Sequence, residues 1–466
     1  MDETDQAVSA VGGPADAAND GPSISARLDA FVERLRMLGA VTRPDVARAF
    51  ATVRRDRCLT GFYDGVGPTP RYLTVSQDHP PSGDVLDAAY ADSALVTHIP
   101  QTSGGGQTSG GTQISGDQNA VLSSCSQPSL VARMIEWLDV VPGMRVLEIG
   151  AGTGYNAALL AVLGCRVTSV EVSPLVATEA RASLARLAAD GVDTSLATVV
   201  HGDGYQGWPD GAPYDRVVVT CAVNGLAPSW VEQLGPRGGI LAPMRHGGLS
   251  PIILVTTGAA DAAAGTDAPA GTDAPAGTDA PAGTDAPAGT DAAAGAMHGR
   301  GLAPAGFLPV TGPLGWYGPS SVPPFVRSTA APVTRHRVLP ADLHPHDLAD
   351  LCFAAACLDE RVTRVHVAGA PEEWGGCGVF DPDTGSAALF THDEVILAGD
   401  PVALDTAIAL IDAWERLGRP KVADWTCRFA LSGPPDTPIL LAVDWVCTAP
   451  IGITQTGTTP AGTAPR

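Results

Sequence analysis

One stretch of sequence, Arg145-Val-Leu-Glu-Ile-Gly-Ala-Gly-Thr-Gly-Tyr155, constrains the fold more than any other part of the chain. Its apolar run from Val146 to Ile149 is short and branched at its ends, which is typical of a buried strand in a parallel sheet. The glycines that follow at a spacing of two are Gly150, Gly152 and Gly154. Glycine is needed where the backbone turns through positive φ or where a ligand lies against the main chain. We therefore expect a strand, a tight turn and a helix whose positive end faces a ligand.

The spacing of the glycines distinguishes between classes of ligand. A dinucleotide site has its third glycine three residues after the second, and here that position holds Tyr155. The pattern is instead G-x-G-x-G with an acid, Glu148, inside the preceding strand. This pattern resembles the first motif of class I S-adenosylmethionine-dependent methyltransferases. A glycine-rich turn alone fits a purely structural role equally well, so the rest of the chain must decide.

Downstream of this stretch, segments typical of strands alternate with segments typical of helices. We expect strands at 166–172, 198–201, 216–220, 240–244 and 252–256, and helices at 155–163, 174–189 and 228–234. Strands separated by helices predict an α/β fold, with a doubly wound, mostly parallel sheet of the class I methyltransferase (Rossmann-like) type. Ligands of such sheets bind outside the carboxyl ends of the strands, and the glycine turn lies at such an end.

Three later positions fit an adenosine site at that edge. Glu171 ends the second strand, where an acid accepts hydrogen bonds from ribose hydroxyls; a solvated strand end is the alternative. Asp203 follows the third strand near the expected adenine amino group, and Gly204 lets the backbone approach. The strand that ends at Thr220 would end beside the sulfonium group of such an adenosine ligand. Together with the glycines these residues predict S-adenosyl-L-methionine as the cofactor.

Composition excludes several classes of function. The formal net charge is −22 at pH 7, which repels phosphate backbones, so we expect no nucleic-acid partner. No apolar run approaches the roughly 20 residues of a membrane span, and the acidic N-terminal sequence lacks the features of a signal peptide, so we expect a cytoplasmic protein with no membrane partner. The nine cysteines include no C-x-x-C pair, so we expect reduced, mostly buried thiols and no metal site.

Segments outside the glycine motif carry a more specific resemblance. Residues 26 to about 312 resemble the protein-L-isoaspartate O-methyltransferase family. The matching segments are 38–39, 46–55, 90–95, Ser124-Cys-Ser-Gln-Pro128, 214–220, 235–239 and Phe307-Leu-Pro-Val310. In that family the block at 124–128 reads Thr-Ile-Ser-Gln-Pro, and the segment at 307–310 resembles the closing edge strand.

The resemblance implies methyl transfer from S-adenosylmethionine to the side-chain carboxylate of an L-isoaspartyl or D-aspartyl residue in a protein or peptide. The methyl ester would then close to a succinimide. By resemblance Ser126 is the active-site serine, and its alternative role is to cap the helix that begins near Pro128. The substrate-binding residues implied are Ser124, Gln127, Cys221, Ala222 and Val223.

The resemblance and composition together predict the domain organisation. We expect a disordered segment at 1–24, the methyltransferase domain at 25–312, a Pro-rich connector at 313–340, a small α+β domain at 341–449 and a disordered tail at 450–466. Within the methyltransferase domain, we expect a flexible loop at 101–118, either a lid or an insertion without a role, and a disordered repeat insertion at 259–299. The last two strands expected in the small domain are 429–432 and 439–446.

Departures from the family pattern leave two other hypotheses open. The block at 124–128 has Ser-Cys in place of Thr-Ile, and Cys221-Ala-Val-Asn224 lacks the usual small residue followed by proline. With the additional C-terminal region, these departures fit an aspartate O-methyltransferase that tailors a ribosomally made peptide. A non-catalytic module that binds S-adenosylmethionine is a third hypothesis. The sequence leaves the oligomeric state open.

Overall fold

The computed structural model describes residues 23–64, 71–99, 123–257, 297–310, 312–315, 325–344, 347–368 and 376–449. The predictions for the N-terminal 1–22, for the loop at 101–118, for the repeat at 259–296 and for the tail at 450–466 lie outside these residues.

The N-terminal region packs helices and a small sheet against the central domain. Its helices are α1 (Ile24–Met37), α2 (Pro44–Thr52) and α3 (Gly83–Ala89), and its strands are β1 (Gly61–Asp64), β2 (Arg71–Thr74), β3 (Leu95–His98) and β4 (Ser123–Cys125). The strands are ordered β2-β1-β3-β4 and all their pairings are antiparallel. Helix α2 begins at Pro44, because proline suits the first turn of a helix.

A nine-stranded sheet forms the centre of the molecule. Its strands are β5 (Arg145–Ile149), β6 (Arg166–Glu171), β7 (Ala197–His201), β8 (Tyr214–Val219), β9 (Leu234–Pro243), β10 (Ile252–Thr257), β11 (Met297–Ala303), β18 (Trp425–Ser432) and β19 (Ile439–Cys447). The order is β19-β18-β11-β10-β9-β8-β5-β6-β7. The five strands from β7 to β9 are parallel and the other four are antiparallel. The order reverses at β5, which confirms the predicted doubly wound, mostly parallel α/β sheet.

Helices cover this sheet because alternate residues of each strand point to opposite faces. The helices in this part of the chain are α4 (Pro128–Leu138), α5 (Tyr155–Val162), α6 (Pro174–Ala189) and α7 (Pro228–Glu232). Val146 packs with α4, α5 and α6 on one face, and the neighbouring Leu147 packs with Trp230 of α7 on the other. Both faces are therefore dry, as a parallel sheet requires.

The strand that pairs with β10 is not where the sequence predicted it. Phe307-Leu-Pro-Val310 forms only one isolated bridge, between Pro309 and Ala222, whereas the partner of β10 is β11 at Met297–Ala303. Residues 297–299 were expected to belong to the disordered insertion. The glycines of β11 make its sequence look like a loop, but close packing requires them. A Cβ on Gly299 would lie 2.6 Å from the sulfur of Cys427.

The C-terminal region contains a third sheet, of six strands. Its strands are β12 (Phe325–Ser328), β13 (Val333–His336), β14 (Val362–Val367), β15 (Gly376–Phe380), β16 (Ala387–Phe390) and β17 (Val395–Ala398), and its helices are α8 (Asp347–Leu358) and α9 (Val402–Arg416). The order is β12-β14-β15-β16-β17-β13, so the two edge strands are consecutive in sequence. The connecting residues 329–332 reach at most about 18 Å, less than the roughly 24 Å width of a flat six-stranded sheet. The sheet must therefore curl strongly.

The last two strands belong to the large sheet. Strands β18 and β19 were expected to close the small C-terminal domain, but β18 pairs with β11 and β19 pairs with β18. Phe429 and Leu440 are buried in the same core as Leu147 and Trp230. A hairpin has no local signal for which sheet it joins, because that depends on the apolar face it covers. The two strands therefore belong to the large sheet and not to the sheet of the C-terminal region. The other predicted domain boundaries stay a prediction.

Within the part of the chain that the structure describes, no helix is both long enough and apolar enough to cross a membrane.

Candidate active site

A cavity of about 260 Å³ opens at the carboxyl ends of β5, β6 and β8. Its polar wall comes from the glycine turn and from the residues that follow β6, β7 and β8. Its lining includes the predicted residues Ser124, Ser126, Glu148, Gly150, Gly152, Glu171, Asp203, Gly204, Thr220 and Cys221. The topology of the sheet thus brings together side chains that are far apart in sequence.

The glycine turn has the backbone geometry that the spacing predicted. Gly150, Gly152 and Gly154 have φ angles of 92°, 51° and 78°, which lie in the region that favours glycine. A Cβ on Gly150 would lie 2.6 Å from Oγ1 of Thr220. That hydroxyl is shared between the carbonyl oxygens of Ile149 (2.9 Å) and Gly150 (2.7 Å). Thr220 therefore holds the turn in place, besides lining the cavity.

Glu171 lies beside the glycine turn at the end of β6. Its Oε2 accepts a hydrogen bond from the backbone N–H of Gly152 at 3.2 Å, and its Oε1 accepts one from Ser173 at 3.0 Å. A carboxylate offers about four acceptor positions, so two stay available to a ligand. The same side chain can therefore fix the turn and accept hydrogen bonds from a pair of hydroxyls.

Glu148 lines the cavity, but its oxygens are occupied by the protein. It is completely buried, and it accepts hydrogen bonds from Nδ2 of Asn156 at 2.7 Å and from Oγ of Ser169 at 2.6 Å. Burial raises the pKa of this carboxyl group to about 7, and the two hydrogen bonds oppose that shift. Glu148 thus ties α5 to β5 and β6 and forms the base of the cavity. Asn156 was not predicted to belong to the site, although its position in the first turn of α5, just after the glycine turn, could have indicated it.

Asp203 and Gly204 form the turn after β7. Oδ1 of Asp203 accepts a hydrogen bond from the backbone N–H of Tyr205 at 2.9 Å. A Cβ on Gly204 would lie 2.8 Å from Cγ2 of Ile149, so only glycine fits against the strand that precedes the glycine turn. Tyr205 also lines the cavity and was not predicted.

The serine-rich block forms the wall of the cavity beside the glycine turn. Ser124 lies in β4, and its carbonyl oxygen would lie 3.3 Å from a Cβ on Gly152. Helix α4 begins at Pro128 with Gln127 as its N-cap and no side-chain cap bond, so Ser126 does not cap this helix. Gln127 is not among the lining residues, since its amide donates to Asp92 at 3.0 Å.

A buried arginine that the sequence analysis missed supports this wall. Arg55 has no exposed surface, and its guanidinium donates to the carbonyl oxygens of Ser126 (2.9 Å), Ser93 (2.9 Å) and Ala89 (2.7 Å). In sequence it lies within an apparently solvated basic run, Arg54–Arg57. Only the folded chain shows that this cation replaces a missing set of backbone hydrogen bonds.

The segment after β8 contributes one side chain and a framework of backbone bonds. Cys221 lines the cavity, and burial raises the pKa of its thiol to about 12, so it stays neutral at physiological pH. Ala222 and Val223 are buried and do not line the cavity. The N–H of Ala222 donates to the carbonyl of Leu308 at 2.8 Å. That bond holds residues 307–310 at the cavity, where they form an apolar cover. The sequence predicts an edge strand for these residues instead.

The titratable side chains that line the cavity are mainly acidic. The lining residues that the structure describes include Glu148, Glu171 and Asp203 but no arginine, lysine or histidine. Three or more His, Cys, Asp or Glu side chains do not cluster as a metal site anywhere in the described residues. A cationic ligand therefore suits this cavity better than an anionic one.

The family model and the curated relatives that match this chain carry the same name. Residues 111–264 match the family model of protein-L-isoaspartate(D-aspartate) O-methyltransferase. The chain is 48% identical over 119 residues to the protein-L-isoaspartate O-methyltransferase of Methanoculleus marisnigri, covering 26% of this chain and 52% of that protein. It is 41% identical over 202 residues to the protein of the same name from Thermotoga maritima, covering 43% of this chain and 50% of that protein. The chain thus spans about half the length of the curated relatives it matches.

Two solved structures give weaker similarities. A protein-L-isoaspartate O-methyltransferase structure aligns with a TM-score of 0.43 and 21% identity, covering 89% of this chain and 98% of that one. A putative protein-L-isoaspartate O-methyltransferase from Plasmodium falciparum, in complex with S-adenosyl-L-homocysteine, aligns with a TM-score of 0.34 and 16% identity, covering 49% and 88%. The sequence matches carry the conclusion. Residues 111–264 are thus similar to the protein-L-isoaspartate(D-aspartate) O-methyltransferase family, and the C-terminal region extends beyond the matched segment.

Proposed function

We propose that this protein is an S-adenosylmethionine-dependent carboxyl O-methyltransferase that acts on L-isoaspartyl or D-aspartyl residues of proteins or peptides. One observation carries the proposal. The glycine turn, Glu171 and Asp203 line the same cavity as Ser124 and Ser126. The names of the sequence relatives support the same activity.

The residues present suit S-adenosylmethionine as the ligand. The free acceptor positions of Glu171 suit ribose hydroxyls, and the turn at Asp203 and Gly204 suits the adenine ring. The acidic lining suits a sulfonium cation, and the cavity volume of about 260 Å³ is near the lower end of the range for small-molecule sites. When bound, this cofactor supplies a methyl group on a sulfonium and takes the bonding electron pair back onto sulfur.

The protein's own contribution is placement. An isoaspartyl carboxylate is ionised at pH 7, so no strong general base is needed. Ser126 is proposed as the group that orients this carboxylate, because its hydroxyl can donate a hydrogen bond to one oxygen while the other approaches the methyl carbon. Alignment of oxygen, carbon and sulfur at near-contact distance supplies most of the rate enhancement. Arg55 fixes the backbone at Ser126 and so preserves that alignment.

Ser124 and Cys221 line the acceptor side of the cavity and are proposed to contact the substrate. Gln127, Ala222 and Val223 act there only through the backbone they hold, since their side chains do not line the cavity. Repair of damaged proteins in the cytoplasm is the biological role we propose. The absence of nucleic-acid partners stays a prediction.

The proposal is tested by a methyl-transfer assay with three acceptors. These are a linear isoaspartyl peptide, the same peptide with normal aspartate, and an aspartate-bearing cyclic peptide. Methylation of the isoaspartyl peptide alone supports the proposal. Methylation of only the cyclic peptide would favour the tailoring of a ribosomal peptide product. Binding of S-adenosylhomocysteine without methylation of any acceptor would favour a non-catalytic module.

The assay needs the full-length chain. Deletion of 313–466 is not a usable control, because that segment contains two strands of the large sheet. Ser126→Ala is the informative variant, since Ser126 does not cap α4. We expect it to lower the rate of methylation and to leave binding of S-adenosylhomocysteine within twofold of the wild type.

A further inference from the structure

The hairpin formed by β18 and β19, here called the C-terminal hairpin, comes from the far end of the chain and contacts segments that border the cavity. Pro438 in its turn and Leu440 in β19 make these contacts. The carbonyl oxygen of Pro438 accepts a hydrogen bond from the hydroxyl of Tyr205 at 2.7 Å. Leu440 exchanges two backbone hydrogen bonds with Leu226, at 2.8 Å and 3.0 Å. Two separate anchors therefore join residues more than 200 positions apart in sequence.

The first anchor acts on the turn that follows β7. Tyr205 is 8% exposed and comes directly after Asp203 and Gly204, which we assign to the adenine side of the site. Its N–H is bound by Asp203, and its carbonyl oxygen accepts a hydrogen bond from Ser229 at 2.5 Å. The bond to Pro438 fixes the remaining end of this residue. The turn thus has its position defined by the C-terminal hairpin as well as by β7.

The second anchor acts on the segment from Cys221 to Leu226. A Cβ on Gly225 would lie 2.7 Å from the carbonyl oxygen of Leu440, so this segment is in close contact with the hairpin. The same segment bonds residues that cover the cavity, since the N–H of Asn224 donates to the carbonyl of Leu314 at 2.9 Å. A displacement of the hairpin would therefore move both Cys221 and the cover.

We propose that the C-terminal hairpin is a positioning element of the methyl-transfer site, holding the cofactor turn at 203–205 and the acceptor-side segment at 221–226 in register with each other. This inference rests on the proposed function. Sites that depend on alignment need a rigid support around the residues that touch the ligand. Here that support comes from a part of the chain outside the segment that matches the family model.

Two substitutions test the two anchors. Tyr205→Phe removes only the hydroxyl that is bound to Pro438, and Gly225→Ala inserts a methyl group against Leu440. The measurement is the Kd of S-adenosylhomocysteine by titration calorimetry, with thermal unfolding in parallel. We expect each variant to raise the Kd about three- to tenfold, with a double variant less than multiplicative because both act through one hairpin.

Two control variants separate positioning from general destabilisation. Gly235→Ala adds the same methyl group where the nearest atom outside neighbouring residues is 3.5 Å away, so its Kd should match the wild type. Ile411→Val weakens the core of α9 in the C-terminal region, so it should lower the melting temperature without changing the Kd.

The outcomes are distinct. Values of Kd within twofold of the wild type for both Tyr205→Phe and Gly225→Ala would overturn the inference and leave the proposed function intact. An equal loss of affinity in Ile411→Val would also overturn it, because the effect would then be one of stability. A wild-type protein that fails to bind S-adenosylhomocysteine would instead overturn the proposed function.

Discussion

The parallel half of the large sheet, β5 to β9, and the antiparallel half, β10, β11, β18 and β19, support the cavity by different means. The parallel half brings polar side chains to it, each at the end of a strand or in the turn that follows: Glu171, Asp203 and Thr220. The antiparallel half brings backbone contacts, such as those of Pro438 and Leu440, and close-packed glycines such as Gly301.

The difference between the halves has a physical origin. Successive strand–helix units place the ends of parallel strands at one edge of a sheet, so residues in successive turns meet there whatever the rest of the chain does. An antiparallel extension by a distant hairpin has no such rule. Its position depends on which apolar face it covers and on how closely the backbones approach. Direct ligand contacts should therefore be lost by changes in the first half. Changes in the second half should lower stability, and they should alter affinity only where they disturb the anchors of the C-terminal hairpin.

The largest effect on ligand binding is expected from Glu171→Ala in the parallel half. This change removes the acceptor of the Gly152 N–H and the proposed acceptor of the ribose hydroxyls. Hydrogen bonds to a charged group contribute about 1.5–3 kcal/mol each, so the Kd of S-adenosylhomocysteine should rise roughly a hundredfold. Titration calorimetry measures this directly.

Glu179→Ala is the matched control for that experiment. Glu179 is also a partly buried carboxylate, but it lies in α6 and pairs with His98 at 3.2 Å. Its removal should change the Kd less than twofold. Equal losses for the two variants would show that net charge, rather than contact with the ligand, determines the affinity.

A smaller effect, on stability, is expected from Gly301→Ala in the antiparallel half. A Cβ at this position would overlap the carbonyl oxygen of Val422, which is backbone and cannot move aside. Overpacking of this kind costs about 1–3 kcal/mol in the free energy of unfolding. Chemical denaturation measures the loss, and the Kd of the folded protein should stay close to the wild-type value.

Gly306→Ala supplies the comparison, since nothing lies within 4 Å of a Cβ at that position. It should leave the free energy of unfolding unchanged within about 0.5 kcal/mol. If Gly301→Ala were as stable as Gly306→Ala, the close approach of β11 to residues near Val422 would be contradicted.

A further effect, of similar size, concerns the pH dependence of stability through Glu148. Its pKa is raised from the ordinary 4.5 to about 7 in the folded state, so the folded protein holds a proton that the unfolded chain loses. Stability from this group is therefore present below about pH 4.5 and is lost as the pH rises through about 7.

Glu148→Gln should remove this dependence. We expect the wild type to lose on the order of 1–3 kcal/mol relative to the variant between pH 4.5 and pH 8, measured by denaturation at each pH. A constant difference between the two proteins across that range would show that Glu148 has the same pKa in both states.

The parallel half and most of the residues that line the cavity could be predicted from the sequence. Gly150 and Gly154 indicated the turn, because few other residues tolerate their positive φ angles. The short apolar run before them indicated a buried strand. Glu171 and Asp203 followed from their positions at or just beyond the ends of strands. These features are local, and local sequence therefore predicts them.

The remaining features depend on long-range packing and could not be predicted from the sequence. Arg55 is buried because carbonyl oxygens from two distant segments converge on it, and no pattern around it in the sequence carries that information. The glycines of β11 are typical of a loop in sequence, but in the fold they leave room for Cys427 and Val422, which pack against that strand. The C-terminal hairpin joins the large sheet because its apolar side chains complete a core that begins at Leu147. Contacts between residues hundreds of positions apart depend on shape and packing, and these exist only once the chain has folded.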